Sequence, residues 1–209
     1  APMDKVIDDT NIKSFDDNNI NICLPRNVKY SSLKNDNYFY SYSLDEVASM
    51  IDNNSEFPKR ILIDVANGHM MRVHQAVKQA KLKYGSDLKL MVGNIANPET
   101  FEILQDCGAD YIRVGIGNGG GCLTTQQTGV GYPMASLISE CNFVKRNSKL
   151  VADGGMQKYS DIIKALALGA DYVMLGSILN KCLESAGETS RENYEVISQY
   201  TKHANEMFM

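Results

Sequence analysis

Strand-like and helix-like segments alternate along this chain, and that alternation constrains its fold more than any other feature. Seven short apolar runs predict β-strands, at Ile20–Leu24, Tyr38–Tyr42, Ile61–Val65, Leu88–Val92, Tyr111–Val114, Lys149–Ala152 and Tyr172–Leu175. Apolar spacing and capping residues predict helices at Leu44–Ile51, Met71–Tyr84, Glu99–Cys107, Met134–Arg146 and Asp161–Leu168, with Ser43 and Ser160 as N-caps of the first and last. Because strands that alternate with helices pair in parallel, we predict an α/β fold.

The strand ends decide how such a parallel sheet is arranged. The later strands run into polar or glycine residues: Asp64, Gly93-Asn94, Gly115-Ile116-Gly117, Asp153-Gly154-Gly155 and Gly176-Ser177. An open doubly wound sheet uses mainly one crevice, whereas a barrel directs all its strand ends toward one ligand. We therefore predict a (β/α)8 TIM barrel, formed by residues 1–209 as one catalytic domain. We expect this barrel to be incomplete at both ends, with Tyr194–Ser198 as the candidate remnant of the eighth strand.

The composition of the 209-residue chain argues against several classes of protein. A net charge of −4 gives no basic surface for nucleic acid, and no apolar run reaches the 18 residues of a membrane span. Five cysteines without a CxxC pair argue against a disulfide framework and favour a reducing, cytoplasmic setting. The histidines, His69, His74 and His203, lack the spacing of a metal site.

The segment Gly115–Pro133 predicts a catalytic loop. Five glycines precede Cys122 in this segment and two follow it, a density that no regular helix or strand tolerates. The formal GxGxxG match at Gly115 is interpreted as false, because a dinucleotide fingerprint needs a helix to start at once. Cys122 is the candidate nucleophile, since its neighbours offer no apolar packing and a thiolate is strongly nucleophilic. The other cysteines are predicted to be structural residues on apolar strands or helices: Cys23, Cys107, Cys141 and Cys182.

Two turns after the last predicted strands are candidates for ligand binding. Backbone N–H groups of Asp153-Gly154-Gly155 and of Gly176-Ser177 could hold a phosphate, and the Asp153 carboxylate could accept hydrogen bonds from sugar hydroxyls. Ordinary tight turns explain either motif alone nearly as well. The two motifs together are more specific for a ligand.

These motifs resemble, in the same order, those of the IMP dehydrogenase/GMP reductase family. The similarity extends from Ala1 to about Glu188, over APMDKVID, ILIDVANGH, MVGNIANPE, DYIRVGIGNGGGCLTTQQTGVGYP and LVADGGMQKYSDIIKALALGADYVMLGSILNKCLESAGE. The resemblance implies a (β/α)8 barrel, usually a homotetramer. It also implies a purine nucleoside monophosphate, GMP or IMP, as substrate and NADPH or NAD as cofactor.

The resemblance implies roles for residues at matching positions. Cys122 would attack C2 of the purine ring to form a covalent intermediate, and Thr124 would take part in acid–base chemistry at that step. Asp153 would hold the ribose hydroxyls, and phosphate contacts would come from Gly154, Gly155, Gly176 and Ser177. Asp64 and Asn94 would lie near the nicotinamide cofactor. Backbone carbonyls that hold potassium in some members match Gly117, Gly119 and Cys122.

Two activities within the family compete as predictions. The segments DVANG and TGVGYP resemble the GMP reductases, and about a dozen residues between the first two strands leave no room for the CBS modules of most IMP dehydrogenases. We predict a GMP reductase, with IMP dehydrogenase as the alternative. Gly120, Thr125 and Met134 depart from the family's usual serine, basic residue and glutamine, and no stretch matches the Tyr-Arg-x-x-Glu-Gly segment of the reductases. These departures keep a non-catalytic nucleotide-binding relative as a further alternative, whereas an aldolase or isomerase ranks lower because no strand-end lysine suits a Schiff base.

Overall fold

Seven parallel strands form one sheet in the computed structural model, which describes residues 1–53, 55, 58–119 and 122–187. The strands are β1 (Cys23–Leu24), β2 (Phe39–Tyr42), β3 (Arg60–Asp64), β4 (Lys89–Ile95), β5 (Tyr111–Val114), β6 (Lys149–Asp153) and β7 (Tyr172–Met174). Each strand pairs with the next one along the chain, so the sheet winds in one direction. A doubly wound sheet would reverse its strand order at a switch point.

Helices cover the outside of this sheet. In the described ranges they are α1 (Ile12–Asp17), α2 (Tyr30–Leu33), α3 (Leu44–Asp52), α4 (Met71–Tyr84), α5 (Pro98–Asp106), α6 (Thr124–Thr128), α7 (Met134–Val144) and α8 (Tyr159–Ala167), and a 3₁₀ turn, Gly85–Asp87, follows α4. Helices α3, α4, α5, α7 and α8 each lie between two consecutive strands. None of the described helices has the length and hydrophobicity needed to cross a lipid bilayer.

The curvature of the sheet follows from a cluster of side chains on its inner face. Every strand contributes one residue to this cluster: Cys23, Phe39, Leu62, Met91, Tyr111, Val151 and Met174. A flat sheet could not bring side chains of β1 and β7 into one cluster, because neighbouring strands lie about 4.8 Å apart. The sheet therefore curls into most of a barrel, which confirms the predicted incomplete TIM barrel. No eighth strand occurs in the part of the chain that the structure describes, and Tyr194–Ser198 lies outside it.

The larger core lies between the outer face of the sheet and the helices. Ile61 and Ile63 of β3 alternate with the inward-facing Leu62, and all three are fully buried. Phe101 and Leu104 of α5 join Ile61 and Ile63 in the outer cluster. Burial of side chains of this size contributes about 1.5–3 kcal/mol each. This core fixes the strands whose carboxyl ends carry the candidate site.

Most predicted elements occur where the sequence pattern places them. Helix α4 and strand β5 have the predicted bounds, and α3 begins with the predicted capping box, in which the Ser43 hydroxyl accepts from the Glu46 N–H at 3.2 Å. The prediction of Ser160 as the cap of α8 is wrong. That helix begins at Tyr159, and the Asp161 carboxylate accepts the Lys158 N–H at 3.0 Å instead.

Candidate functional site

A polar layer lies one pleat above the inner apolar cluster, toward the carboxyl ends of the strands. Arg113 on β5 is 5% exposed, and it forms ion pairs with Asp64 at the end of β3 and with Asp153 at the end of β6. The Arg113 Nε lies 3.5 Å from Asp153 Oδ2. Burial lowers the pKa of Arg113, but the attraction of the two carboxylates outweighs burial and raises that pKa above its ordinary value. Two predicted site residues, Asp64 and Asp153, are thus joined through a guanidinium.

Asn94, another predicted site residue, connects this layer to the loop after β5. Its Nδ2 donates to Asp153 Oδ2 at 2.9 Å and to the Gly115 carbonyl at 2.5 Å. Its Oδ1 is buried and has no hydrogen-bond partner among the described residues. Such an orphaned acceptor is unusual, because buried polar atoms are normally paired. An incoming ligand with an N–H or O–H group could satisfy this oxygen.

The loop after β5 packs tightly against the end of β6, and glycine is required for that contact. A Cβ added to Gly115, whose φ is 128°, would lie 2.1 Å from the Asp153 carbonyl oxygen. A Cβ added to Gly154, whose φ is 100°, would lie 3.0 Å from the Gly119 nitrogen. The predicted substrate turn, Asp153-Gly154-Gly155, therefore contacts the predicted catalytic loop.

Cys122 is exposed on this loop, as its polar surroundings predict. Its N–H donates to the Gly119 carbonyl at 3.0 Å, and its thiol donates to Thr124 Oγ1 at 3.3 Å. The structure thus brings together both residues of the predicted catalytic pair. An exposed thiol beside a hydroxyl can act as a nucleophile with a nearby proton carrier. Helix α6 begins at Thr124, so the expectation of a helix-free loop is wrong, although this helix has only five residues.

The four cysteines predicted to be structural are not all alike. Cys23 and Cys141 are buried and Cys107 is half-buried, but Cys182 is exposed in a turn after β7. Burial is the main cause that raises the pKa of Cys141 to about 12 and also raises that of Cys23. The Cys23 and Cys141 thiols are therefore poor nucleophiles. The prediction that Cys182 lies on an apolar strand or helix is wrong.

The second predicted phosphate turn follows β7, the strand beside β6. Asp153 pairs with Met174 in register, so Gly176 and Ser177 lie just beyond a strand end adjacent to the Asp153 turn. The Gly176 carbonyl accepts the N–H groups of Leu179 and Asn180, which folds the segment back on itself. Both glycine turns are thus at the carboxyl edge of the sheet.

The histidines have structural contacts in the described residues. His69 Nε2 accepts the Ala96 N–H at 3.0 Å, so Nδ1 carries the proton that it shares with Thr100 Oγ1 at 2.7 Å. His74 Nε2 lies 3.2 Å from the Gly68 carbonyl. No group of three or more His, Cys, Asp or Glu residues suited to a metal ion occurs within the described ranges, and His203 lies outside them.

Sequence reasoning missed the arginines of this site. The Arg26 guanidinium donates to the Asp64 carbonyl at 2.5 Å and lies 3.4 Å from Asp64 Oδ2. Arg113 lies in the four-residue strand Tyr111–Val114, whose other residues are apolar. A charged residue inside a buried strand must find a partner, and that signal was available in the sequence.

Two residues that depart from the family pattern are Gly120 and Met134. Gly120 lies outside the described residues, whereas Met134 Sδ accepts a weak hydrogen bond from Asn118 Nδ2 at 3.7 Å.

Comparison with known proteins shows the family of this chain. Residues 44–207 match the family model of the IMP dehydrogenase/GMP reductase domain. The inosine-5′-monophosphate dehydrogenase of Methanocaldococcus jannaschii is 44% identical over 143 residues, which are 67% of this chain and 29% of that protein. GMP reductase 2 of Bos taurus is 37% identical over 153 residues, which are 72% of this chain and 44% of that protein. The matched region spans less than half the length of these relatives. The chain belongs to the IMP dehydrogenase/GMP reductase family.

Proposed function

We propose that this chain provides the catalytic barrel of a purine nucleotide oxidoreductase that acts through Cys122. The observation that carries the proposal is the exposed Cys122 thiol, 3.3 Å from Thr124 Oγ1, on a glycine loop that contacts the Asp153 turn. Active sites of TIM barrels lie at this carboxyl end of the strands. The family's named members, a dehydrogenase of inosine monophosphate and a reductase of GMP, support the substrate class.

The proposed chemistry takes place at C2 of the purine ring. In the reductase direction, the Cys122 sulfur bonds to C2 and the bond from C2 to the exocyclic amine breaks, so that ammonia leaves. A bound nicotinamide cofactor would supply the hydride that replaces sulfur at C2, and the Cys122 thiolate would leave with IMP as the product. Thr124 is positioned to exchange a proton with the thiol, because their S and O atoms are 3.3 Å apart. Covalent catalysis of this kind divides one difficult displacement into two easier steps.

The nucleotide would be held by the turns at the ends of β6 and β7. Asp153 would accept the ribose hydroxyls, and backbone N–H groups of Gly154, Gly155, Gly176 and Ser177 would hold the phosphate. Positive φ values of 100° at Gly154 and 80° at Gly155 support this role, since such turns present successive N–H groups to an anion.

The residues at the ends of β3 and β4 fit a nicotinamide cofactor. When bound, NADPH or NAD would supply or accept the hydride. Asn94 Oδ1, the buried acceptor without a partner, could receive an N–H or O–H of that group, and Asp64 lies beside it in the polar layer. A potassium ion would take backbone carbonyl oxygens, as these ions do in protein filters. The family resemblance assigns this role to the carbonyls of Gly117, Gly119 and Cys122, of which the Gly119 carbonyl also accepts the Cys122 N–H at 3.0 Å.

Reduction of GMP is the direction that we propose. It is supported by the DVANG and TGVGYP segments, residues 64–68 and 128–133, which resemble the corresponding segments of the reductases. Oxidation of IMP is the second candidate, because the dehydrogenase relative shares 44% identity and the reductase relative 37%. A homotetramer, a cytoplasmic location and a single domain without CBS modules stay predictions.

Spectrophotometry at 340 nm tests the proposal. The chain is incubated with GMP and NADPH, then with IMP and NAD, and loss or gain of absorbance identifies the direction. We expect Cys122→Ser to lose turnover while GMP binding, measured by calorimetry, persists. Cys182→Ser is the matched control, since this thiol is also exposed and no proposed step uses it. Absence of turnover in both directions, or full activity in Cys122→Ser, would contradict the proposal.

A further inference from the structure

Arg113 is buried inside the barrel between two carboxylates, and no proposed step uses it. Its Nη2 contacts Asp64 Oδ1 and lies 3.4 Å from the Gly93 carbonyl, while its Nε lies 3.5 Å from Asp153 Oδ2 in an ion pair without a hydrogen bond. Gly93 lets the strands approach here, because an added Cβ would lie 2.6 Å from the Arg113 Cβ. The guanidinium is therefore anchored from the β3 and β4 side and reaches toward β6.

The two oxygens of Asp153 differ in their environments. Oδ2 accepts from Asn94 Nδ2 at 2.9 Å and faces the Arg113 Nε, whereas Oδ1 accepts no hydrogen bond from any described residue. The side chain is 23% exposed, so a ligand can reach it. One oxygen is thus held by the protein, and the other is left to accept a hydroxyl from outside.

We propose that Arg113 is a positioning residue that turns the Asp153 carboxylate so that its Oδ1 accepts a hydroxyl of the nucleotide ribose. The proposal rests on the proposed function, because it takes Asp153 as the ribose-binding residue. Arg113 acts through Asp153 and does not touch the ligand itself. Asp64 contributes indirectly, since it anchors the far side of the guanidinium.

The charges in the polar layer explain why an arginine is needed. Without the guanidinium, Asp64 would keep its contact with Arg26, which is 41% exposed, whereas Asp153 would lose its ion pair with Arg113. Repulsion between the two carboxylates would then drive Asp153 outward, and this movement removes the oriented acceptor. A lysine keeps the charge but presents a single donor centre, so it cannot span both carboxylates in the way that a planar guanidinium does.

Binding of a ribonucleotide and of its analogue without ribose hydroxyls tests the proposal. Calorimetry gives the Kd of GMP and of 2′,3′-dideoxy-GMP for the wild type, Arg113→Met, Arg113→Lys and Asp153→Asn. Hydrogen bonds to a charged group are worth about tenfold to a hundredfold in affinity, so the wild type should prefer GMP by that factor. We expect Arg113→Met and Asp153→Asn to reduce this preference to about threefold or less, and Arg113→Lys to give an intermediate value. Lys145→Met, which removes an ion pair with Asp171 at the amino end of β7, should keep the full preference.

The two ligands separate positioning from mere stability. A structural role alone would weaken both nucleotides equally and leave their ratio unchanged, which would overturn the proposal. A wild-type ratio in Arg113→Met would overturn it as well. If Arg113→Met does not fold, as circular dichroism would show, the ratio in Arg113→Lys decides in the same way. Failure of the wild type to bind either nucleotide would instead refute the proposed function, and the inference with it.

Discussion

Replacement of Gly117 by alanine should destabilise the loop after β5, and the same replacement at Gly129 should do so much less. The two glycines belong to one loop and have similar left-handed conformations, with φ values of 80° and 69°. An alanine in this conformation costs about 1–2 kcal/mol at either position. Any difference between the two variants therefore measures the surroundings of the added Cβ.

Those surroundings differ sharply. A Cβ on Gly129 would meet nothing within 4 Å, whereas a Cβ on Gly117 would lie 1.6 Å from Thr125 Oγ1 and 2.7 Å from Thr125 Cβ. Thr125 would have to move by more than roughly 1 Å, and its hydroxyl would lose the 2.8 Å hydrogen bond to the Val130 carbonyl, worth about 0.5–1.5 kcal/mol. We expect a total cost of about 2–4 kcal/mol for Gly117→Ala and about 1–2 kcal/mol for Gly129→Ala.

Urea unfolding followed by circular dichroism measures both costs as changes in the free energy of unfolding. A double-mutant cycle with Thr125→Ala adds a second measurement, because removal of the hydroxyl should reduce the cost of Gly117→Ala. Equal costs for the two glycine variants, together with no coupling to Thr125, would refute the packing argument.

Two further predictions concern the pH dependence of stability, through His69 and through Asp171 at the amino end of β7. Burial lowers the pKa of His69 in the folded protein. The contribution of His69 to the free energy of unfolding should therefore be complete above about pH 6.5 and should decline as the pH falls through the lower folded pKa. Urea unfolding between pH 7.5 and 5.5 should show this decline, and His69→Gln should flatten it. Burial opposes ionisation of Asp171, but hydrogen bonds from Lys145 and the Leu150 N–H lower its pKa, so its contribution should persist above about pH 4 and fall below it. Asp171→Asn should cost about 1–3 kcal/mol at pH 7 and flatten the acid limb of the same curve.

Local patterns predicted the elements better than they predicted the site. Helix α4 and strand β5 have the expected bounds because apolar spacing reports which face of a segment is buried. The exposure of Cys122 was equally readable, since glycines and threonines surround it. Cys182 was misassigned because its apolar neighbours, such as Leu179 and Leu183, do not reveal that this segment forms a turn with an exposed thiol.

The sequence predicted several residues of the polar layer, but not which of them contact one another. Asp64, Asn94 and Asp153 were identified because each is a polar residue at or near the end of a predicted strand. Their pairing depends on strand register: Arg113 meets Asp64 across 49 positions of sequence. Only the curled sheet determines that β3 and β6 direct their carboxylates toward one guanidinium on β5. The sequence does contain the charge inside a buried strand, but not the identity of its partner.

A repeated motif indicates that the amino and carboxyl ends of the strands have different roles. Gly-Ala-Asp-Tyr precedes or enters both β5 and β7, and its aspartates, Asp110 and Asp171, accept the N–H groups of Leu90 and Leu150 at 2.9 Å in both cases. Each aspartate also binds two lysines: Lys81 and Lys89, and Lys145 and Lys149. The same strands diverge at their carboxyl ends, where β5 continues into the cysteine loop and β7 into Gly176-Ser177. Since the repeated ends stabilise and the divergent ends bear the proposed chemistry, changes at the amino ends should alter stability while leaving nucleotide selectivity unchanged.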